Sequence, residues 1–185
     1  MGNPFHRGFA SPPPFDPVPH EYRDPDPRQI HLLPAPLIPP GFRGWLALRG
    51  IRAGAGRIFR AAPGVTYRIH ADGPGPFPSS TARINIVVGG AGSTMTWYGL
   101  RQGCQARTYR DARGDEVTGF DPADCEELFS CGVTGACVVN VGVPHTLTNP
   151  LEWRTCYSMF AMDLASGEHL PFDRVVSRLA GDLMP

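Results

Sequence analysis

The chain has no lysine: all 17 basic residues among its 185 are arginine. Schiff-base catalysis, a lysine-anchored pyridoxal phosphate and a Walker-type phosphate loop all need that amine and are excluded. There is no apolar run of about 18 residues, so no membrane span is expected. There is no GxSxG nucleophile motif, no internal repeat and no CxxC pair. The opening MGNPFHRGFASPPPF lacks the apolar core of a secretory signal, and His6 stands where a myristoylation pattern needs Ser or Thr. The 17 acidic residues balance the basic ones to a net charge of zero, without the basic excess usual in a nucleic-acid binder. The expectation is a cytoplasmic protein with neither membrane nor nucleic-acid partner.

Five cysteines are present, an odd number. Cys125, Cys131 and Cys137 are spaced six apart, wider than zinc-site spacing. Free thiols, mostly buried as small apolar side chains, are the expected state, with a thiolate metal site as the alternative. Apolar residues at 42% mark a globular chain, of a length that suits one domain or one domain with an arm. Gly and Pro together number 43, which calls for many turns and short strands.

Twelve of the 21 prolines fall within residues 1–40. That stretch cannot propagate a helix or run centrally in a sheet. It reads as an extended arm, wrapped on the surface or disordered, with Phe5, Phe9, Phe15, Ile30, Leu32 and Leu33 as anchors. A partner-docking arm is the alternative. From residue 41 to 185 the text becomes a series of short β-like runs: 42–48, 57–61, 65–70, 82–88, 93–98, 104–109, 136–141, 145–148 and 154–162. Many short strands at near-regular spacing predict an all-β sandwich or barrel. Helical signals are confined to 121–129, with its acidic start and early proline, and 171–183, where Phe172, Val175, Val176 and Leu179 recur at helical spacing before Gly181. The GGAGS run at 89–93 reads as a hairpin turn.

One segment, YRIHADGPGPF, carries chemistry. His70 ends a strand and Asp72 lies two residues on, so an extended backbone aims both at one side. A second isolated histidine, His145, opens a later strand after Pro144. Two imidazoles and a carboxylate are the donor set of the facial triad that holds Fe(II) and leaves three positions open. Nine residues past His145, Arg154 opens the next strand, where a buried guanidinium can grip a carboxylate in a bidentate pair. His6, His20, His31 and His169 lie in Pro-rich or terminal segments and are not counted as functional.

The order HxD, a long gap, a single His and then Arg resembles the Fe(II)/2-oxoglutarate-dependent dioxygenase superfamily. The text IHADGPG…ARINIVVGGAGSTMTWYG followed by VNVGVPHTLTNPLEWRTCYSMF is similar to small bacterial and phage members close to its aspartyl/asparaginyl β-hydroxylase branch. The likeness covers about residues 65–162. It implies a double-stranded β-helix, a cupin-like jelly roll, in agreement with the strand count. It implies His70, Asp72 and His145 as iron ligands and Arg154 on the distal carboxylate of 2-oxoglutarate. Dioxygen would take the remaining position, and decarboxylation to succinate would yield a ferryl species that hydroxylates an amino acid, a peptide side chain or a small metabolite. Two departures stand out. Many members carry Arg-x-Ser where this chain has Arg154 and Cys156, with Ser158 one step further on the same face. Some members of the branch also lack the carboxylate ligand, which here is present as Asp72.

Strand alternation supplies the remaining candidates. Arg83 and Asn85 share a face of ARINIVV, which is either solvent-exposed or the polar wall of a pocket; the resemblance favours the pocket and a cosubstrate contact. Arg68 is assigned to the face of His70 and Tyr98 to the pocket side of STMTWYG, both as substrate contacts, with plain packing as the alternative for Tyr98. A non-catalytic jelly roll with a binding or structural role, as in a phage component, is the rival reading. A triad enzyme without 2-oxoglutarate and a scaffold acting through residues 1–40 are the others.

Overall fold

The computed structural model describes residues 3–16, 28–33, 35–72, 80–110 and 116–185. Along the chain come β1 (His6–Gly8), β2 (Arg28–Leu33), α1 (Pro40–Ala47), β3 (Ile51–Ala61), β4 (Val65–Thr66), β5 (His70–Ala71), β6 (Ala82–Gly89) and β7 (Thr94–Leu100). They are followed by β8 (Arg107–Arg110), β9 (Glu116–Gly119), β10 (Cys125–Gly132), β11 (Ala136–Asn140), β12 (His145–Asn149), β13 (Arg154–Asp163) and α2 (Phe172–Arg178).

The strands form two antiparallel sheets. One runs β1-β11-β6-β13-β3-β2; the other runs β10-β7-β12-β5-β9-β8, with β4 also paired to β12. From β3 the chain crosses to β4 and β5, back to β6, across to β7 and, after the β8–β9 excursion, on through β10, β11, β12 and β13, changing sheets again between each of the last three. This is the double-stranded β-helix, a jelly roll. Among the described residues no helix is long and apolar enough to cross a membrane.

The first sheet is buried on both sides, and alternation along β6 shows how. Ala82, Ile84 and Ile86 face outward, into a core completed by Phe9, Phe15, Phe42 and Leu46 of α1, and Phe172, Val175 and Leu179 around α2. Arg83 and Asn85 face inward, between the sheets. The inner core is smaller, built on Met95, Trp97, Val133, Cys137, Val139 and Val141. The described parts of the Pro-rich segment lie on this frame: β1 and β2 are the two edge strands of the first sheet, where proline-flanked strands are tolerated. Phe5 stacks on Trp97 with centroids 5.7 Å apart, and Leu33 is buried while Leu32 is exposed. Residues 17–27 with His20, the side chain of Ile30, and the loop beginning at Gly73 lie outside the described residues.

Three local expectations are corrected. The run 42–48 is helix, not strand: Pro40 sits in the first turn, and Phe42 and Leu46, one helical turn apart, are both fully buried. The reverse holds at 121–129. Asp121 caps a single 3₁₀ turn, Pro122–Asp124, by accepting from the Ala123 N–H at 3.0 Å, and the chain then pairs with β7 as the edge strand β10. Sheet pairing overrides the local helix signal there. The turn at 89–93 is not a hairpin, because β6 and β7 belong to different sheets; Gly89, Gly90 and Gly92, at φ 69°, 74° and 72°, supply the sharp crossing. The expected C-terminal helix is present and shorter, ending at Arg178.

The turn after β13 is fastened by Asp163. Its Oδ1 accepts from the N–H groups of Ser166 and Ala165, both at 2.9 Å, and Oδ2 meets Arg178 Nη2 at 2.6 Å. The Ser166 N–H, Arg178 and the Ala165 N–H together hold the carboxyl at about 2. A depressed carboxyl contributes stability that is present above its unfolded value, near 3.8, and is lost as pH falls through about 2. Asp163→Asn should therefore lower the urea midpoint at pH 5 and do so progressively less toward pH 2. A deficit independent of pH contradicts this assignment.

Candidate metal centre

His145, the first residue of β12, is paired in register with His70 of β5. Their ring centroids are 4.5 Å apart. Asp72 follows β5 directly, and its N–H donates to the Val141 carbonyl at 2.7 Å, which ties it to the segment that leads into His145. One ligand atom from each of His70, Asp72 and His145 lies within 4.8 Å of the others. Among the described residues they are the one group of three or more His, Cys, Asp or Glu side chains placed to hold a metal. All five cysteines are free thiols and none joins it.

Hydrogen bonds set the imidazoles in the ligating form. His70 Nδ1 lies 2.8 Å from the Arg68 carbonyl and His145 Nδ1 lies 2.8 Å from the Val143 carbonyl. A carbonyl can only accept, so each Nδ1 carries a proton, and in the neutral imidazole Nε2 is the nitrogen left to ligate. Burial, reinforced by neighbouring His70, brings His145 down to about 3, against the opposing pull of Asp72 and its own bond to Val143. It is therefore neutral across the ordinary pH range, as a metal ligand must be. Burial alone would raise the Asp72 carboxyl. Arg83 in particular, helped by Arg57, outweighs that and holds it below its ordinary value.

The three side chains open into a pocket of about 80 Å³. Its apolar walls are Phe59, Met95, Val141 and Leu147, with Tyr67 beside them. Its polar wall is the inward face of the first sheet: Arg83 and Asn85 of β6 and Arg154, Cys156 and Ser158 at alternate positions of β13. Arg154 is 4% exposed, and burial raises the Cys156 thiol against the opposing Arg154 charge and hydrogen bond. Arg83 Nε, Asn85 Oδ1 and Arg154 Nε are buried without a hydrogen-bond partner. Buried polar atoms are rarely left unsatisfied. Two of the three are guanidinium nitrogens, donors that suit an anionic guest beside a divalent ion, while the Asn85 oxygen can only accept; the lining fits both Fe(II) and a carboxylate ligand. A larger hollow of about 340 Å³, lined by Arg101–Arg107 and Asp124, shares no residue with this site.

Two other sequence candidates lie elsewhere. Arg68 is exposed, its guanidinium carbon 5.5 Å from the Tyr109 ring centroid. The backbone between β4 and β5 is irregular, so the alternation that would place Arg68 with His70 is broken and Tyr67 lines the pocket instead. Tyr98 is on the far face of β7, against Ile69, Ala71, Phe120 and Cys125, and Met95 takes the inward position.

Asn149, the last residue of the PHxxxN pattern, and Gly90 carry no role predicted from the sequence, yet both place Arg154. Asn149 is fully buried; its amide donates to the carbonyls of Ala61, Ala62 and Glu152 at 2.9, 3.0 and 2.7 Å, and its carbonyl accepts from Ser93 Oγ at 2.8 Å. It thereby pins the loop that delivers Arg154. The signal was the Asn four residues after His145 in PHTLTN. Gly90 lies against the Arg154 stem, where an added Cβ would stand 2.7 Å from Cγ.

No protein-family model matches the chain, and no curated protein matches it. Solved structures do. An oxidoreductase of the 2OG-Fe(II) oxygenase family from Burkholderia pseudomallei aligns with a TM-score of 0.39 and 14% identity over 71% of this chain and 55% of its own, so the chain spans about half of that protein. EvdO2 from Micromonospora carbonacea var. aurantiaca, complexed with 2-oxoglutarate, aligns with a TM-score of 0.40 and 15% identity over 78% of this chain and 72% of its own. A cupin 2 domain-containing protein from Halorhodospira halophila gives 0.31 and 11% over 86% and 81%. The structural neighbours thus include both 2OG-Fe(II) oxygenases and cupins.

Gly90 and Gly135 both have positive φ, 74° and 71°, but only Gly90 has a neighbour in the way. Alanine at either position incurs backbone strain, and at Gly90 it must also displace Arg154, adding about 1–3 kcal/mol. Urea denaturation should show Gly90→Ala as the more destabilised of the two. Equal losses would mean that Arg154 is not held by this contact.

Proposed function

We propose that the protein is an Fe(II)- and 2-oxoglutarate-dependent dioxygenase that hydroxylates an amino acid, a peptide side chain or a small metabolite. The observation that carries this reading is one pocket holding a two-histidine, one-carboxylate set beside a buried arginine with an unpartnered Nε. His70, Asp72 and His145 would hold the metal through both Nε2 atoms and an Asp72 oxygen. The chemistry that iron and 2-oxoglutarate supply when bound is the activation of dioxygen, coupled to decarboxylation to succinate and used to oxidise a substrate C–H bond.

The chain's own residues bind, orient and shield. Arg154 pairs with the distal carboxylate of 2-oxoglutarate, and Gly90 and Asn149 fix where that cation stands. Ser158, opposite Asn85 in the sheet, borders the path between Arg154 and the metal ligands. Cys156, where the resemblance leads one to expect Ser, offers a weak sulfur contact in that place. Phe59, Met95, Val141 and Leu147 keep bulk water from the reacting atoms and leave a space suited to a small group.

The test is anaerobic titration of the apoprotein with Fe(II) and 2-oxoglutarate, following the visible metal-to-ligand charge-transfer band. The wild type should develop the band. Arg154→Ala should weaken 2-oxoglutarate binding by roughly 10–100-fold, the worth of a charge-assisted pair, with iron uptake nearly unchanged. Asp72→Ala should lose iron. Iron uptake without a band points to an oxygenase with another cosubstrate, and no uptake points to a non-catalytic jelly roll; either result overturns the proposal.

A further inference from the structure

We infer that Arg83 is a positioning residue that keeps Asp72 a one-oxygen ligand and so preserves the third open position on the metal; the inference rests on the metal reading of this site. The two Asp72 oxygens have different neighbours. Oδ1 lies 3.9 Å from His70 Nε2, on the side of the imidazoles. Oδ2 is taken by Arg83 Nη2 at 3.2 Å. The other arm of the same guanidinium, Nη1, donates to Ser158 Oγ at 3.3 Å.

Arg83 has little freedom to leave this place. It is 6% exposed. Its guanidinium carbon lies 3.9 Å from the Phe160 ring centroid and 5.8 Å from that of Phe59. Phe160 is its register partner on β13, so the stacking ring is set by the sheet. A planar fork held against a ring, with one arm on Ser158, presents its second arm in a fixed direction. For Asp72 to ligate through both oxygens, Oδ2 would have to turn toward the metal and away from Arg83, leaving Nη2 of that buried guanidinium without its carboxylate.

The consequence is a count of coordination positions. A two-histidine, one-carboxylate set leaves three positions on a six-coordinate ion only while the carboxylate uses one oxygen. Chelation by a keto acid takes two, and dioxygen needs the third. Carboxylates switch readily between one- and two-oxygen ligation of divalent ions when nothing restrains them. Arg83 is that restraint. Serving an acidic ligand rather than an acidic cosubstrate distinguishes it from Arg154, whose guanidinium lies at the other end of the pocket's β13 wall.

Mn(II), a redox-silent ion accepting the same donors, reads this directly. Metal-bound waters are counted from electron spin-echo spectra in ¹⁷O-enriched water, without 2-oxoglutarate, for wild type and Arg83→Met. Three waters are expected on the wild type and two on the variant. Three on both overturns the role of Arg83 while leaving the metal site standing, and failure of the wild type to take up Mn(II) overturns both readings. A structural role alone would change stability and not the water count. The wild type gives a second measurement independent of whether Arg83→Met folds. The carboxylate bands in its metal-minus-apo infrared difference spectrum, with Asp72→Ala to assign them, should show the wide splitting of one-oxygen ligation; a narrow splitting overturns the inference.

Discussion

The site depends on one antiparallel contact, β12 against β5, at which His145 stands opposite His70. β5 is only two residues long, so most of its support comes from outside it. β9 pairs along its other edge, and the Asp72 N–H is tied to Val141. On the opposite side of β12, His145 is paired with Trp97, which is fully buried and donates its indole N–H to the Asn140 carbonyl at 2.7 Å. Phe5, from the Pro-rich segment, stacks on that same indole. The two histidine-bearing strands are thus clamped between the β8–β9 edge and a tryptophan that the N-terminal segment covers.

The inner face of the first sheet sets the electrostatics. Arg83, Asn85, Arg154 and Ser158 are all buried there. Apolar side chains of similar volume would give a core at least as stable, since removing guanidinium groups from water is costly unless each is paired. Arg83 is paired with Asp72 through Nη2, and the Nε atoms of both Arg83 and Arg154 have no hydrogen-bond partner. The outer face of the same sheet carries the apolar burden with α1, α2, Phe9 and Phe15. Most of the apolar burial lies on that outer side, which leaves the β6 and β13 part of the inner side polar and chemically specific.

Much of this was readable in the sequence where period and chemistry coincide. The alternation of ARINIVV separated the core face from the pocket face, and HxD with a distant PH located three side chains that the fold brings within 4.8 Å. The arginine nine residues after His145 was recognisable because it opens a strand on the same wall. Reading failed where one signal had two meanings. FRGWLAL is apolar enough for a strand, and only the four-residue spacing of Phe42 and Leu46 marks it as helix. DPADCEELF begins as a helix would, and only β7, far away in sequence, makes it a strand. Arg68 was misplaced because alternation was carried through an irregular stretch, and Tyr98 because alternation names two faces without saying which is inward. The pairing of Arg83 with Asp72 was out of reach, since it requires the register of β6, β13 and the end of β5 together.

The most direct measurement is anomalous diffraction from anaerobic crystals grown with Mn(II) and 2-oxoglutarate. One strong metal peak is expected, bounded by His70 Nε2, His145 Nε2 and Asp72 Oδ1, with 2-oxoglutarate density running from it to the Arg154 guanidinium. A metal peak elsewhere, or an empty pocket with Arg154 turned to another partner, would contradict it.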